Sequence, residues 1–244
     1  MDAVKQSRKN EIVREKILDI RKIKIGKYPI DSPWVKPVRI FYTQDGYEKV
    51  WDVVKSHDSV GIVVFNTTRK KLILVRQFRP AAYYACLPDK VEEIDLEQYP
   101  PSLGLTLELC AGIVDKDKPL VEIARDELRE ECGYEAPASA FTKIVTYRGV
   151  GSGATKQTLF YVEVTDEMHI YPGGGAESEG ELIELVEMNV EEAKKYINSE
   201  EVQSPSSFLF GISCMSFLWQ NLLFYHDPFC MANRIRYLLF LPVL

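Results

Sequence analysis

The chain has 244 residues, of which 46% are hydrophobic, which suits one large domain or one domain with an appendage. Its formal net charge of −6 does not support a general nucleic-acid-binding surface. The five cysteines show no CxxC or zinc-ligand spacing, which is typical of reduced residues in an intracellular protein. The N-terminus has no apolar signal region and no stretch reaches the ~20 apolar residues of a membrane helix, so we expect a cytoplasmic protein without a membrane span.

Residues 1–56 are predicted to form an N-terminal arm and a β-hairpin unit. Residues 1–25 are charged with interspersed aliphatic residues, which indicates a short helix or a loosely held arm. Asp45-Gly46 separates two β-prone runs, and an Asp-Gly turn between such runs is a strong hairpin signal. A hairpin of this size cannot bury its own large aromatic residues. The large aromatic residues of this unit are Trp34, Tyr42 and Trp51. They must therefore pack on the main domain or on another subunit.

Residues 57–227 are predicted to form the main domain, in which strands and helices are interspersed. Apolar runs predict strands over 58–65, 71–78, 105–110, 141–147, 155–164 and 182–186, and helices over 120–132, 190–197 and from Ser206 to about Tyr225. The fold class is therefore α+β. Residues 228–244 are an apolar tail that is too short to span a membrane.

Two places in this domain carry side chains that suit phosphate chemistry. Arg79 follows the strand over 71–78, and a guanidinium at a strand end can bind phosphate as a planar fork. Glu179 and Glu181 end a glycine-rich loop, where a carboxylate can swing toward a bound metal and act as a general base. The alternatives are a surface arginine and a solvated acidic loop.

The segment between residues 112 and 134 is the most informative part of the sequence. Its helix is predicted to begin near Pro119 and to stop at Gly133, a residue suited to the left-handed position after a helix. Glu127, Glu130 and Glu131 share one arc of this helix, which overlaps the edge of the apolar face. Half-buried like charges are unfavourable unless a cation neutralises them, and a hard divalent ion prefers oxygen ligands. A solvated acidic face is the alternative. The core-facing positions are predicted to be Leu120, Ala124 and Leu128.

This segment resembles the Nudix box, in which a glycine and a glutamate precede an Arg-Glu-apolar-any-Glu-Glu-any-Gly-apolar run. Two places depart from the pattern: Lys118 stands where the first Glu is expected, and Asp126 stands where the Arg is expected. That Arg helps orient the glutamates in the family, and neither Arg125 nor Arg129 lies at the same angle. The matching places are Gly112, Glu127, Leu128, Glu130, Glu131, Gly133 and Tyr134.

The resemblance extends to the uridine diphosphate glucose pyrophosphatases, which are close to the ADP-sugar pyrophosphatases within the Nudix superfamily. It rests on the phrases FYTQDG, HDSV, VRQFRPA, ELCAG, EECGY, EGELIEL and SPSSFLFG, over roughly residues 38 to 217. It implies an α/β/α sandwich with a mixed sheet between helices, a homodimer joined through the N-terminal β unit, and Mg²⁺-dependent cleavage of a nucleoside diphosphate sugar. Mn²⁺ is a possible substitute.

The resemblance also implies roles for individual residues. The carbonyl of Ala111 and the carboxylates of Glu127 and Glu131 are expected to hold the metal, with Glu130 completing the cluster. Arg79 is expected to bind the diphosphate, and Glu181, or Glu179 as second choice, to activate water.

Three other functions fit the same sequence. One is an ADP-ribose or ADP-sugar pyrophosphatase with the same site and different base recognition. Another is a Nudix-fold binding protein that has lost hydrolysis, which Lys118 and Asp126 favour. The last is a membrane-attached variant that uses the apolar tail.

Overall fold

The computed structural model describes residues 3–29, 31–89, 91 and 93–223. The strands are β1 Lys36–Gln44, β2 Tyr47–Lys55, β3 Ser59–Asn66, β4 Lys71–Phe78, β5 Leu105–Glu108, β6 Cys110–Ile113, β7 Thr142–Arg148, β8 Lys156–Val164 and β9 Glu184–Met188. The helices are α1 Ala3–Leu18, α2 Pro80–Ala85, α3 Leu120–Cys132, α4 Val190–Ile197 and α5 Ser206–Leu223.

Strands β3 to β9 form one mixed sheet. Its main path is β5-β4-β3-β8-β7, with β6 paired to β3 and β9 paired to β4. Strand β8 runs parallel to β3, and the other pairs are antiparallel. Strands β3 and β4 pair with each other only near their shared turn, over Val64–Asn66 and Lys71–Ile73. The strands then diverge, and β5 and β6 occupy the fork between them. The predicted single strand over 105–110 is therefore two strands with different partners.

Helices cover both faces of this sheet. Successive residues of β3 point to opposite sides, as the two-residue period of a strand requires. Val60, Ile62 and Val64 pack on the α3 side, and Val63 and Phe65 pack on the α4 and α5 side. The predicted α+β class, with a mixed sheet in an α/β/α sandwich, is confirmed. The helical partners are Ile123, Ala124, Leu128 and Cys132 on one side and Val190, Ala193, Phe208, Ile212 and Met215 on the other.

Helix α3 has the predicted bounds, with one error in its buried face. Gly133 ends the helix in the left-handed region at φ 77°, and its N–H donates to the Arg129 carbonyl. Ala124 and Leu128 are buried as predicted, but Leu120 is 36% exposed. Helical side chains lean toward the N-terminus, so a leucine at the first position points past the end of its own helix.

The N-terminal residues form a helix and a hairpin that meet the domain differently. Helix α1 is held by a hydrogen bond from Asn10 to the Leu185 carbonyl (2.6 Å) and by an ion pair between Arg14 and Glu184. The hairpin β1–β2 is antiparallel as predicted, but almost every residue in it is exposed. Its base is joined to the domain through the Val54 N–H, which donates to the Ser152 carbonyl (2.7 Å).

Among the residues that the structure describes, no helix has the length and apolarity needed to cross a bilayer. The predicted tail over 228–244 lies outside the described residues. The division of the chain into an arm with a hairpin, a main domain and a tail stays a prediction.

Candidate active site

All seven predicted site residues line one cavity of about 890 Å³. The cavity lies where the ends of β4, β6 and α3 meet the loop before β9. Sequence separation between these elements is large, so the sheet topology is what brings the residues together. The residues are Arg79, Ala111, Glu127, Glu130, Glu131, Glu179 and Glu181.

Glu131 is the most deeply buried carboxylate of the cavity, with 3% of its surface exposed. Its Oε2 accepts a hydrogen bond from the backbone N–H of Ala111 (2.9 Å), which joins the C-terminal half of α3 to strand β6. Burial raises the pKa of Glu131 to about 8, although the Ala111 N–H acts in the opposite direction. The carboxyl group is therefore held in a fixed position, and the effect of burial on its pKa outweighs that of its hydrogen bonds.

Glu127 packs directly against the backbone of β6 at Gly112. A methyl group on Gly112 would lie 2.1 Å from the Glu127 carboxyl group, so only glycine allows this approach. Burial, followed by the charges of Glu130 and Glu181, raises the pKa of Glu127 to about 7. This contact explains physically why the motif begins with a glycine fifteen residues before its helix glutamate.

Arg79 lies in the cavity, held by a residue that the sequence reasoning missed. Its Nε and Nη2 donate to the two carboxylate oxygens of Glu108 at 2.7 and 2.8 Å, and Glu108 is only 4% exposed. Thr106 donates to the same carboxylate (2.5 Å). The hydrogen bonds with Glu108 raise the pKa of Arg79, so its charge is secure. The sequence offers one sign of this role, because Glu108 is the single charged residue of the otherwise mostly apolar run over 105–110.

The glycine-rich loop before β9 is anchored to the end of α3. The N–H groups of Gly174 and Gly175 donate to the carbonyls of Glu131 (2.8 Å) and Glu130 (3.1 Å). Glu181 Oε2 accepts the N–H of Ala176 (2.8 Å). The glycine half of this loop is therefore held to the site helix by backbone hydrogen bonds.

The donor set of the cavity suits a hard divalent cation. Its acidic groups offer only oxygen ligands, and two carboxylates have pKa values raised by burial, which a bound cation would reverse. Within the described part of the chain, no three His, Cys, Asp or Glu side chains already stand as a closed ligand set. Glu127, Glu130 and Glu131 as metal ligands, with the Ala111 carbonyl, thus stay a prediction.

Comparisons with known proteins agree with this geometry. No protein-family model matches the chain. Uridine diphosphate glucose pyrophosphatase NUDT14 of Mus musculus is 40% identical over 196 residues, which are 75% of this chain and 88% of that protein. GDP-mannose pyrophosphatase of Cronobacter sakazakii is 30% identical over 158 residues, which are 65% and 73% of the two chains. A solved structure described as an ADP compounds hydrolase has a TM-score of 0.54 and 13% identity, and the match covers 83% of this chain and 93% of that one.

The mixed sheet between helices, with an acidic helix and an arginine facing one cavity, is the arrangement that the resemblance to the Nudix proteins implies. The structural likeness at 13% identity shows the fold alone. The sequence likeness goes further, because 88% of a relative is covered at 40% identity. The chain therefore belongs to the Nudix pyrophosphatases, and the resemblance stated from its motifs is confirmed.

Metal binding in this cavity should depend on pH. With pKa values of about 7 and about 8, Glu127 and Glu131 are partly protonated near pH 7 and must release those protons to bind a cation. We expect the affinity for Mn²⁺, followed by electron paramagnetic resonance, to increase from about pH 6 to about pH 9, with proton release on binding. Glu131→Gln should remove most of the affinity, whereas Glu191→Gln, an exposed control on α4, should not. A dissociation constant independent of pH would contradict the assignment.

Proposed function

We propose that the protein hydrolyses the diphosphate bond of a nucleoside diphosphate sugar, with uridine diphosphate glucose as the first candidate. The products would be uridine monophosphate and glucose 1-phosphate. The observation that carries the proposal is that all seven predicted residues line one cavity of a Nudix pyrophosphatase fold. The 40% identity to a uridine diphosphate glucose pyrophosphatase supports the choice of nucleotide sugar. The cytoplasmic location stays a prediction.

Glu127, Glu131, Glu130 and the carbonyl of Ala111 would hold Mg²⁺, or Mn²⁺ in its place. The cation, when bound, neutralises charge on the diphosphate and polarises its phosphoryl oxygens. The protein contributes a rigid set of oxygen donors, since Glu131 is fixed by the Ala111 N–H and Glu127 is packed on Gly112. A substrate with two adjacent anionic phosphates needs such a cation, because the acidic cavity alone would repel it.

Arg79 would bind the diphosphate through the nitrogen that Glu108 leaves unused. Glu108 occupies Nε and Nη2, so Nη1 is the guanidinium nitrogen that does not contact it. Because Glu108 already fixes the guanidinium of Arg79, this side chain loses little conformational freedom when it binds phosphate. The side chain is 45% exposed, which leaves it accessible to a ligand in the cavity.

Glu181 would take a proton from the attacking water. The oxygen of that water would then form a bond to phosphorus. The bond between this phosphorus and the bridging oxygen would break, and its electron pair would pass to the leaving phosphate. This role is supported by the position of Glu181 in the cavity that Glu127 and Glu131 also line, and by the contribution of its charge to the raised pKa values of both. Glu179 lines the same cavity and is the second candidate.

The hairpin β1–β2 would join two copies of this chain into a homodimer. One of its faces carries Val38, Ile40, Tyr42 and Trp51, which are between 38% and 52% exposed. An isolated two-stranded hairpin is at best marginally stable in water, and a continuous apolar face favours association. A second copy would present the same face and cover it symmetrically.

A substrate panel tests the proposed reaction. Purified protein with Mg²⁺ is expected to cleave uridine diphosphate glucose with a higher kcat/KM than ADP-ribose or GDP-mannose, with no cleavage when the metal is chelated. Preference for ADP-ribose would favour the ADP-sugar alternative and preserve the reaction class. Binding of all three nucleotides without turnover would contradict hydrolysis and favour a binding protein.

Removing the proton acceptor should lower the rate without preventing substrate binding. Glu181→Gln is expected to reduce kcat by about 10²–10⁴-fold with a much smaller change in KM. The amide oxygen can still accept the Ala176 N–H that orients this side chain, so the loop should keep its shape. Glu179→Gln is the matched control and should cost less. The reverse ranking would assign the role to Glu179, and full rates in both single variants and the double variant would exclude both.

The dimer is tested by placing charge on the apolar face of the hairpin. Light scattering is expected to show a dimer for the wild type at micromolar concentration. Ile40→Lys combined with Trp51→Lys should give a monomer, because two charges would enter the interface. Ile170→Lys replaces a residue of similar exposure (60%) on the main domain and serves as the control. A wild-type monomer would contradict the proposed assembly.

A further inference from the structure

The two departures from the Nudix pattern lie in direct contact with each other. Lys118 Nζ donates to Asp126 Oδ2 at 2.9 Å. The pattern has a Glu and an Arg at these places, which are also opposite charges but in the reverse order. The pair in this chain therefore keeps opposite charges at the two places but exchanges which place carries which sign. Substituted independently, two positions would have no reason to keep complementary charges.

Asp126 is a well-ordered acceptor on α3. Its second oxygen, Oδ1, accepts a hydrogen bond from Arg125 Nη2 (3.0 Å), so both carboxylate oxygens are used. Only 14% of its side chain is exposed, compared with 43% for Lys118. A charge-assisted hydrogen bond to a mostly buried carboxylate has a more defined geometry than one between two exposed side chains.

The pair connects two parts of the active site. Lys118 ends the turn between β6 and α3, and its own N–H donates to the Lys116 carbonyl (2.9 Å). Asp115 and Lys116 of that turn line the cavity, and their charges act on Glu127. Asp126 immediately precedes Glu127 in the helix. The ion pair therefore fixes the turn against the helix at the position next to a predicted metal ligand.

We propose that Lys118 and Asp126 are a charge-reversed positioning pair, which holds the β6–α3 turn against α3 so that Glu127 faces the cavity. The activity part of this inference rests on the proposed function, and the metal-binding part does not. The two departures then mark an exchange of charges within a retained contact. They do not indicate a site that has lost hydrolysis.

Charge exchange provides the test. The single variants Lys118→Glu and Asp126→Arg each place like charges at the contact, and the double variant restores opposite charges in the order of the Nudix pattern. Three quantities are measured on the full chain: kcat/KM for uridine diphosphate glucose with Mg²⁺, the dissociation constant for Mn²⁺ by electron paramagnetic resonance, and the midpoint of thermal unfolding. Arg21→Asp, which breaks an exposed pair with Asp19, is the control for loss of a surface ion pair.

Each single variant is expected to lower kcat/KM and to weaken Mn²⁺ binding by about 10–100-fold, the usual effect of removing an outer-shell partner of a metal ligand. The larger loss is expected for Asp126→Arg, because Arg125 also loses its acceptor. The double variant should recover most of both quantities, to within a small factor of the wild type. The control should match the wild type throughout.

Two results in the activity and metal-binding measurements would overturn the inference. One is a double variant as impaired as the worse single variant, which would mean that the individual side chains matter and their pairing does not. The other is wild-type metal binding in both single variants, which would make the pair a surface contact. If the wild type cleaves no nucleotide sugar, the proposed function fails, and the Mn²⁺ series alone decides this inference. Thermal midpoints that follow the activity losses in every variant would likewise count against positioning and favour general destabilisation.

Discussion

The burial of carboxylates at the end of α3 is the constraint on which the rest of the site depends. A charged group withdrawn from water is unfavourable unless hydrogen bonds or opposite charge compensate it. Here one backbone donor, the Ala111 N–H, reaches Glu131, and the missing side chain of Gly112 makes room for Glu127. These contacts do not fully compensate the burial of the two carboxyl groups, so the pKa values of both glutamates are raised. Strand β6 must therefore lie against α3, and the fork between β3 and β4 is what places it there.

Local signals were sufficient to predict the site helix. Proline before Leu120, a period of three to four in its apolar residues and a glycine after Cys132 are all contained within one short segment. Its bounds were correct for that reason. The predicted helix over 190–197 is likewise set by a local contact, since Asn189 accepts the N–H of Glu192 (2.8 Å) within one turn of helix. Nudix membership likewise followed from a motif with contiguous spacing.

Contacts between distant residues were not predictable in this way. The run over 105–110 contains no glycine, proline or other turn residue, so nothing in it marks the change of partner from β4 to β3 at Leu109. Glu108 reaches Arg79 only because β5 pairs with the end of β4, and neither residue signals the other along the chain. The contact between Lys118 and Asp126 was hidden differently. Both residues depart from the motif in the sequence, but their side chains meet only because the turn folds back on the helix.

The glycine end of the loop that carries Glu179 and Glu181 is hydrogen-bonded to two helices. Lys9 of α1 donates to the carbonyl of Gly173 (3.2 Å), while the next residue, Gly174, donates to the carbonyl of Glu131. The glycine end of the loop is thus held between the N-terminal helix and the site helix.

The acidic end is held by hydrogen bonds within the loop, since the N–H groups of Glu179 (3.0 Å) and Glu181 (3.3 Å) both donate to the Ala176 carbonyl. The Glu181 carboxylate accepts one hydrogen bond, from the Ala176 N–H. Movement of Glu181 toward a substrate therefore requires exchange of that hydrogen bond, whereas movement of the glycine end requires several backbone bonds to break. Segments with few hydrogen bonds to the rest of the fold open at the lowest free energy, so we expect the residues after Ala176 to move more readily than the glycine end. The hydrogen bonds of Gly174 and Gly175 hold the start of this loop beside Glu130 and Glu131 at the end of α3.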